Sequence, residues 1–148
     1  MIKVLVQVED FDAGAEVAQL RSTASGAIVQ FVGVMRDNNQ GDTVASMHLE
    51  HYPGMTESSI ERILVEASER WSLLGCTVIH RVGTVLPGEQ IVLVAVSAAH
   101  RHAAFQACEF VMDYLKTQAP FWKKEQLHNG ESRWVDARES DDRAAARW

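Results

Sequence analysis

Cysteine is scarce in this 148-residue chain, which holds only Cys76 and Cys108, 32 positions apart. The two form neither a CxxC nor a zinc-ligand spacing, so a disulfide framework and a zinc site both lack support. Free, buried thiols in a reducing compartment are the expectation. No apolar run approaches the roughly 20 residues that span a bilayer. Met1 leads directly into the strand-like IKVLVQV, without the n-region and cleavage site of a signal peptide. A soluble, cytoplasmic protein with no membrane partner is therefore expected. Positive charge is short as well: the formal net charge of -6 argues against general nucleic-acid binding, so any anion site must be local. Neither G-x-G-x-x-G nor G-x-x-x-x-G-K-S/T occurs, which leaves dinucleotide and ordinary P-loop binding without sequence support. Internal repeats and low-complexity linkers are also missing, and residues 1–148 read as a single domain.

The residues that are present suit a packed core. Hydrophobic residues at 47% and charged residues at 23% match ordinary globular usage, which argues against disorder or a fibrous repeat. Ile2 to Val8 reads as a strand, and Asp12 can cap a short helix carrying Val17 and Leu20. AIVQFVGVM, residues 27 to 35, has the apolar density of a central strand and ends at Arg36. The turn formers DNNQGD join it to TVASMHLEHY, its expected antiparallel partner. Thr56 is the expected cap of a helix to Trp71, whose apolar stripe is Ile60, Ile63, Leu64, Ala67 and Trp71. CTVIHRVG and IVLVAVSA should form a hairpin across LPGEQ. A second long helix should run from Ala99–Arg101 to about Gln118, with Ala104, Phe105, Cys108, Val111, Met112 and Leu115 inward. After it, QLHNGES reads as a loop and RWVDAR as a short strand, and Ser140 with Asp141 and Asp142 can cap a final helical turn. Trp71 and Trp134 read as core. Frequent hairpins among interleaved helices predict an α+β fold, its sheet largely antiparallel or mixed with helices on one face.

Chemistry concentrates in two places. The first is DYLKTQAPFWKKE, residues 113 to 125, where a helix meets Pro120 and gives way to two aromatics and two lysines. Such a corner can hold a planar, anionic ligand, or it can be a hydrophobic clamp rimmed by solvated lysines. A lysine becomes a general acid, base or nucleophile when desolvation or a neighbouring cation lowers its pKa. Lys123, between Trp122 and Lys124, has both causes beside it in sequence, and Lys116 is a candidate second member. The second place is His100–Arg101 at the start of the long helix, where free N–H groups and the helix dipole favour an anion such as phosphate. Its alternative is a strand-end histidine beside a solvated arginine. On one helix, Arg101 and Lys116 stand roughly 22 Å apart, too far to share a small ligand from one chain. Either the clusters are unrelated or a symmetric dimer joins them. His48 with His51, and His100 with His102, point to different faces, so no metal site is expected.

EHYPGMTE at 50–57, VIHRVG at 78–83, His100–Arg101, and MDYLKTQAPFWKKE at 112–125 followed by RWVDARESD occur in an order that resembles the large, catalytic subunits of molybdopterin synthase. The likeness runs from about Phe31 to Trp148. It implies an α/β-hammerhead with an additional small antiparallel sheet. It also implies a homodimer at the core of a heterotetramer, with a small ubiquitin-like sulfur-carrier subunit at each end. The implied reaction transfers sulfur from that subunit's C-terminal thiocarboxylate to cyclic pyranopterin monophosphate, forming the molybdopterin dithiolene without a further cofactor. By matching position, Lys116 and Lys123 resemble the family's catalytic lysines. Arg36, His100, Arg101 and Arg138 resemble its phosphate and pterin contacts, and Phe31 and Met112 its pocket wall. Gln118 departs from the pattern where an arginine is common, as does the loop LHNGES. The alternative from another class is a non-catalytic dimeric binding module for a phosphorylated pterin-like metabolite.

Overall fold

The computed structural model describes residues 1–135 and 139–148. In chain order the elements are β1 (Ile2–Gln7), α1 (Ala13–Ala18), β2 (Ala27–Val34), β3 (Asn38–Asn39), β4 (Asp42–His51), α2 (Met55–Trp71), β5 (Gly75–Arg81), β6 (Gly83–Val85), β7 (Gln90–Ala98), α3 (Arg101–Thr117), β8 (Phe121–Leu127), β9 (Ser132–Trp134) and α4 (Glu139–Ala146). They build two sheets. The first runs β1-β5-β7-β2, with β1 parallel to β5 and the other pairs antiparallel. The second is antiparallel throughout, in the order β3-β4-β8-β9, with β6 also paired to β4. The α+β expectation, with an added antiparallel sheet, holds.

Both faces of the first sheet are covered, which is why β5 is buried along its whole length. On one face α2 and α3 set Ile60, Leu64, Ala104 and Phe110 against Val78 and Val94. On the other, Val17 and Leu20 meet Ile79, Leu93 and Ala95. Helices thus lie on both faces rather than one. The Asp12 carboxylate accepts the Ala15 N–H at 3.0 Å and starts α1, which turns the chain back across the sheet before β2.

Three pairings differ from expectation. β2 is an edge strand rather than a central one, since β7 is its only sheet neighbour among the described residues. Its apolar density misleads because alternate residues pack on opposite cores while Phe31 and Val34 remain 40% and 49% exposed. TVASMHLEHY does not pair with it. Gln40 and Gly41, at φ 53° and 85°, form a tight turn that pairs Asn38 with Thr43, and β4 then joins the second sheet. The hairpin of β5 and β7 is present but interrupted. Gly83, at φ +84°, swings the chain out so that β6 pairs with β4, and this joins the two sheets.

The long helices follow their periodicity with local exceptions. Gly54, not Thr56, is the N-cap of α2; its N–H donates to Glu57 at 2.6 Å, while the Thr56 hydroxyl donates to the Tyr52 carbonyl at 2.7 Å. On α3, Phe105 is 62% exposed instead of inward. Phe110 fills that role, its ring centroid 5.1 Å from Trp71 and 4.6 Å from Tyr114. Trp71 is half-buried against this core, but Trp134 is 53% exposed beneath Lys124. Gln126 and Leu127, expected in a loop, continue β8, because Val44 and Ser46 offer pairing partners on β4. Of RWVDAR, Arg133 and Trp134 are strand, and Arg138 lies outside the described residues. A register shift between Val44 and Ser46 lets Val44, Met47 and Leu49 all face the smaller core under the second sheet.

Candidate active site

Strand geometry decides which way the lysines face. After Pro120 the segment FWKKEQL is β8, paired through Leu49 with Lys123 and through Glu50 with Trp122. Side chains alternate along a strand, so Phe121, Lys123, Glu125 and Leu127 turn inward, whereas Trp122, Lys124 and Gln126 turn outward and are exposed. Trp122 and Lys124 therefore do not flank Lys123 in space, and the expected cause of its activation is corrected. The cation that shares its surroundings is Lys116, from the last turn of α3.

Lys116 and Lys123 lie at the junction of two neighbouring cavities. The first, about 310 Å³, is walled by Arg36, Asn38, Asn39 and Glu125, with Asp141 of α4 on its rim. The second, about 270 Å³, is walled by Phe31, Met112, Leu115 and His80. Val34, Ile91 and Phe121 line both together with the two lysines. Of the residues singled out from sequence, Lys116, Lys123, Arg36, Phe31 and Met112 thus converge on one cleft. His100 and Arg101 do not. They form the exposed N-cap and first residue of α3, at the other end of the helix that carries Lys116. Among the described residues no side chain caps that helix start, and its first turn holds no acidic residue.

Glu125 and His80 are among the cleft residues that were not assigned a role from sequence. Glu125 is buried, and its oxygens accept from Asn39 Nδ2 at 3.1 and 3.0 Å and from Arg133 Nε at 3.0 Å. Arg133 also donates to Asp42 at 2.8 Å and to the Asn39 carbonyl at 3.1 Å. This network ties the β3–β4 turn to β8 and β9 and fixes one wall. His80, buried on β5, stacks on Phe121 with ring centroids 3.8 Å apart and planes 17° apart. Its Nδ1 lies 2.7 Å from the Arg81 carbonyl, which can only accept, so Nδ1 carries the proton and Nε2 is an acceptor. Burial pushes the imidazole pKa down to about 3, and Lys123 and Lys116 add to the effect. At neutral pH His80 is an uncharged ring beside two cations. The motif VIHRVG pointed at it, and strand alternation from Lys123 would have found Glu125 once β8 was read as a strand.

The cysteines stand apart from this chemistry. Both are free and buried, and burial pushes Cys76 up to about 12 and Cys108 up to about 11. Each is a protonated thiol at neutral pH, poorly suited to carry sulfur.

Fold and cleft together define a class: an α+β protein with a helix-covered sheet, a second antiparallel sheet, and two lysines converging where the two sheets meet. The chain belongs to the MoaE protein family, whose model matches residues 6–118. It is 58% identical over 147 residues to the molybdopterin synthase catalytic subunit of Vibrio cholerae serotype O1, covering 99% of this chain and 97% of that one. Its structure resembles that of the molybdopterin biosynthesis MoaE protein from Burkholderia ambifaria, with a TM-score of 0.85 and 55% identity over 100% of this chain and 98% of the other. A complex of subunits 1 and 2 of molybdopterin-converting factor from Helicobacter pylori shares the fold at 21% identity, with a TM-score of 0.71 over 93% of this chain and 90% of the other. Among the described residues, no helix is long and apolar enough to cross a membrane.

Proposed function

We propose that this chain is the catalytic subunit of a molybdopterin synthase, a cytoplasmic sulfurtransferase formed by residues 1–148 as one domain. It takes sulfur from the C-terminal thiocarboxylate of a small ubiquitin-like carrier and places it on cyclic pyranopterin monophosphate. The observation that carries this reading is the convergence of Lys116 and Lys123 on one cleft beside Arg36. An ammonium pair there attracts both the thiocarboxylate and the phosphate-bearing substrate, although the protein is acidic overall. Phe31 and Met112 supply an apolar wall for the flat pterin, and His80 adds a neutral hydrogen-bond acceptor. Lys123 and Lys116 handle proton transfer or a transient covalent attachment as sulfur replaces oxygen on the substrate.

The carrier is a separate chain, in keeping with the two-subunit description of the Helicobacter pylori relative in fold. Buried, protonated thiols in this chain support the same division of labour. His100 and Arg101 hold the substrate phosphate from the neighbouring subunit of a homodimer, the core of a heterotetramer, and Arg138 contributes a further contact. The uncapped start of α3 offers backbone N–H groups for that anion.

The test combines purified protein, thiocarboxylated carrier and precursor. Lys123→Ala should lose at least about a thousandfold in turnover, within the range of a lost acid–base or covalent group combined with lost charge stabilisation. Its circular dichroism and melting point should stay near wild type, since a single half-buried lysine is replaced. Wild-type turnover in that variant would overturn the assignment.

A further inference from the structure

A buried carboxylate sits awkwardly in a cleft that receives anions, and Glu125 is one. Lys123 and Glu125 stand two residues apart on β8, so they project from the same face with about 7 Å between their Cβ atoms. Two flexible side chains close that gap, and a carboxylate inside a cleft is a natural partner for an ammonium. Among the described residues, however, Glu125 accepts from Asn39 and Arg133 and from no lysine.

The charge around the first cavity depends on that choice. Arg36, Lys116 and Lys123 line it, opposed by Glu125 and Asp141. Three cations against two carboxylates leave +1, and with Glu125 neutralised from outside the balance facing a ligand is +2. Arg133 supplies that neutralisation. It is the cross-strand partner of Glu125 on β9 and lines neither cavity, so its guanidinium meets the carboxylate from the flank of the wall. All three guanidinium nitrogens are committed: Nε to Glu125 at 3.0 Å, Nη1 to Asp42 at 2.8 Å and Nη2 to the Asn39 carbonyl at 3.1 Å. Asp42 competes weakly for the charge, because its side chain is 53% exposed against 7% for Glu125 and is screened by water. A guanidinium suits the task, being planar, always charged, and able to hold several acceptors at fixed angles.

Resting on the functional reading above, we propose that Arg133 is a positioning residue for the reaction: by holding the Glu125 carboxylate towards β9, it keeps that charge from pairing with Lys123 and leaves both lysines to receive anions. Without the guanidinium, a buried carboxylate lacks a cation, which strongly destabilises the fold unless another takes its place. Lys123, on the same strand and the same face, is that replacement. Asn39 is not, because an amide donates hydrogen bonds but no charge. The competing role for Arg133 is a plain clamp that fastens the β3–β4 turn to β9 through Asp42 and Asn39.

The test follows the Lys123 side chain through a pH titration by NMR, in protein labelled at lysine Cε. The groups facing Lys123 are Lys116 from α3, Arg36 after β2, His80 from β5, Asp141 from α4 and Glu125 beside it. Of these, Glu125 alone loses its partner in Arg133→Met. That variant should raise the Lys123 midpoint by about 1 pH unit, the lower end of the effect of an opposite charge within reach. It should also raise KM for the precursor roughly tenfold, as expected for the loss of one charged contact. In a Glu125→Gln background the same substitution should leave the midpoint in place and change KM by less than about threefold. Glu125→Gln alone should hardly move the Lys123 midpoint, a measurement that still decides the matter where Arg133→Met folds poorly. Asp42→Asn cuts the tie to the turn but leaves Glu125 held, and should keep KM within about threefold of wild type. An unmoved midpoint in Arg133→Met, a fall of about 1 pH unit in Glu125→Gln, or an Asp42→Asn variant that reproduces Arg133→Met overturns the proposal. The titration needs neither precursor nor carrier, so wild-type protein without turnover overturns the functional reading while the hold of Arg133 on Glu125 is judged separately.

Discussion

At the scale of single residues, the cleft is decided by direction as much as by chemistry. Lys123 and Lys124 are neighbours in sequence with the same side chain, yet the pleat of β8 sends one inward beside Glu125 and the other outward over Trp134. The lysines themselves were legible in the sequence because Pro120, two aromatics and two cations make an unusual helix ending. The direction in which each lysine faces, and the cation that stands next to Lys123, depended on a strand that the run FWKKEQL does not announce. His80 provides a measurable consequence. Its folded-state pKa of about 3 lies below the ordinary 6.5, chiefly because burial disfavours the charged ring, and Lys123, Lys116 and His51 oppose protonation further. Between those values the unfolded chain binds more protons than the folded one, so the neutral ring's contribution to stability is full above about pH 6.5 and is lost as pH falls towards 3. Urea midpoints at pH 7 and pH 4 should therefore drop more for wild type than for His80→Gln. Equal drops would show that His80 does not carry this acid sensitivity.

At the scale of elements, helices and central strands were readable, and pairings were not. The stripe Ile60, Ile63, Leu64 and Ala67 is buried as its spacing requires. By contrast, the apolar run of β2 was indistinguishable from an interior strand, because composition reports what covers the faces of a strand and not whether its second edge is paired. The same limitation misassigned β4, which follows β2 closely in sequence but finds its main partner in β8. Gly83 is the element-level hinge: at φ +84° it redirects the chain from β5 into β6. A Cβ there would meet Val8 at 3.7 Å, an ordinary contact, so the penalty for Gly83→Ala is conformational. The variant should be less stable by about 1–2 kcal/mol, the usual cost of a left-handed conformation for an L side chain. Chemical denaturation should show a lower midpoint with an unchanged slope. A wild-type midpoint would show that the link relaxes without strain.

At the scale of the whole molecule, the distance along α3 constrains the proposed site. A rigid helix holds Arg101 and Lys116 roughly 22 Å apart, so a cleft that uses both must draw on two chains. Turnover per chain should consequently fall as the protein is diluted through its dimer dissociation range, in step with the dimer fraction read by sedimentation. Constant turnover per chain across that range would show a site complete within one subunit. The sequence by itself determined the α+β class, the positions of the long helices and buried strands, and the family, because periodicity and motif order are local properties of the chain. Only the tertiary structure decided that β2 is an edge, that β8 is a strand, and that Glu125 and His80 stand beside the lysines. Those features arise from hydrogen bonds between segments far apart in the chain, such as Leu49 with Lys123 and Val6 with His80, and no local pattern encodes which distant edge a strand will meet.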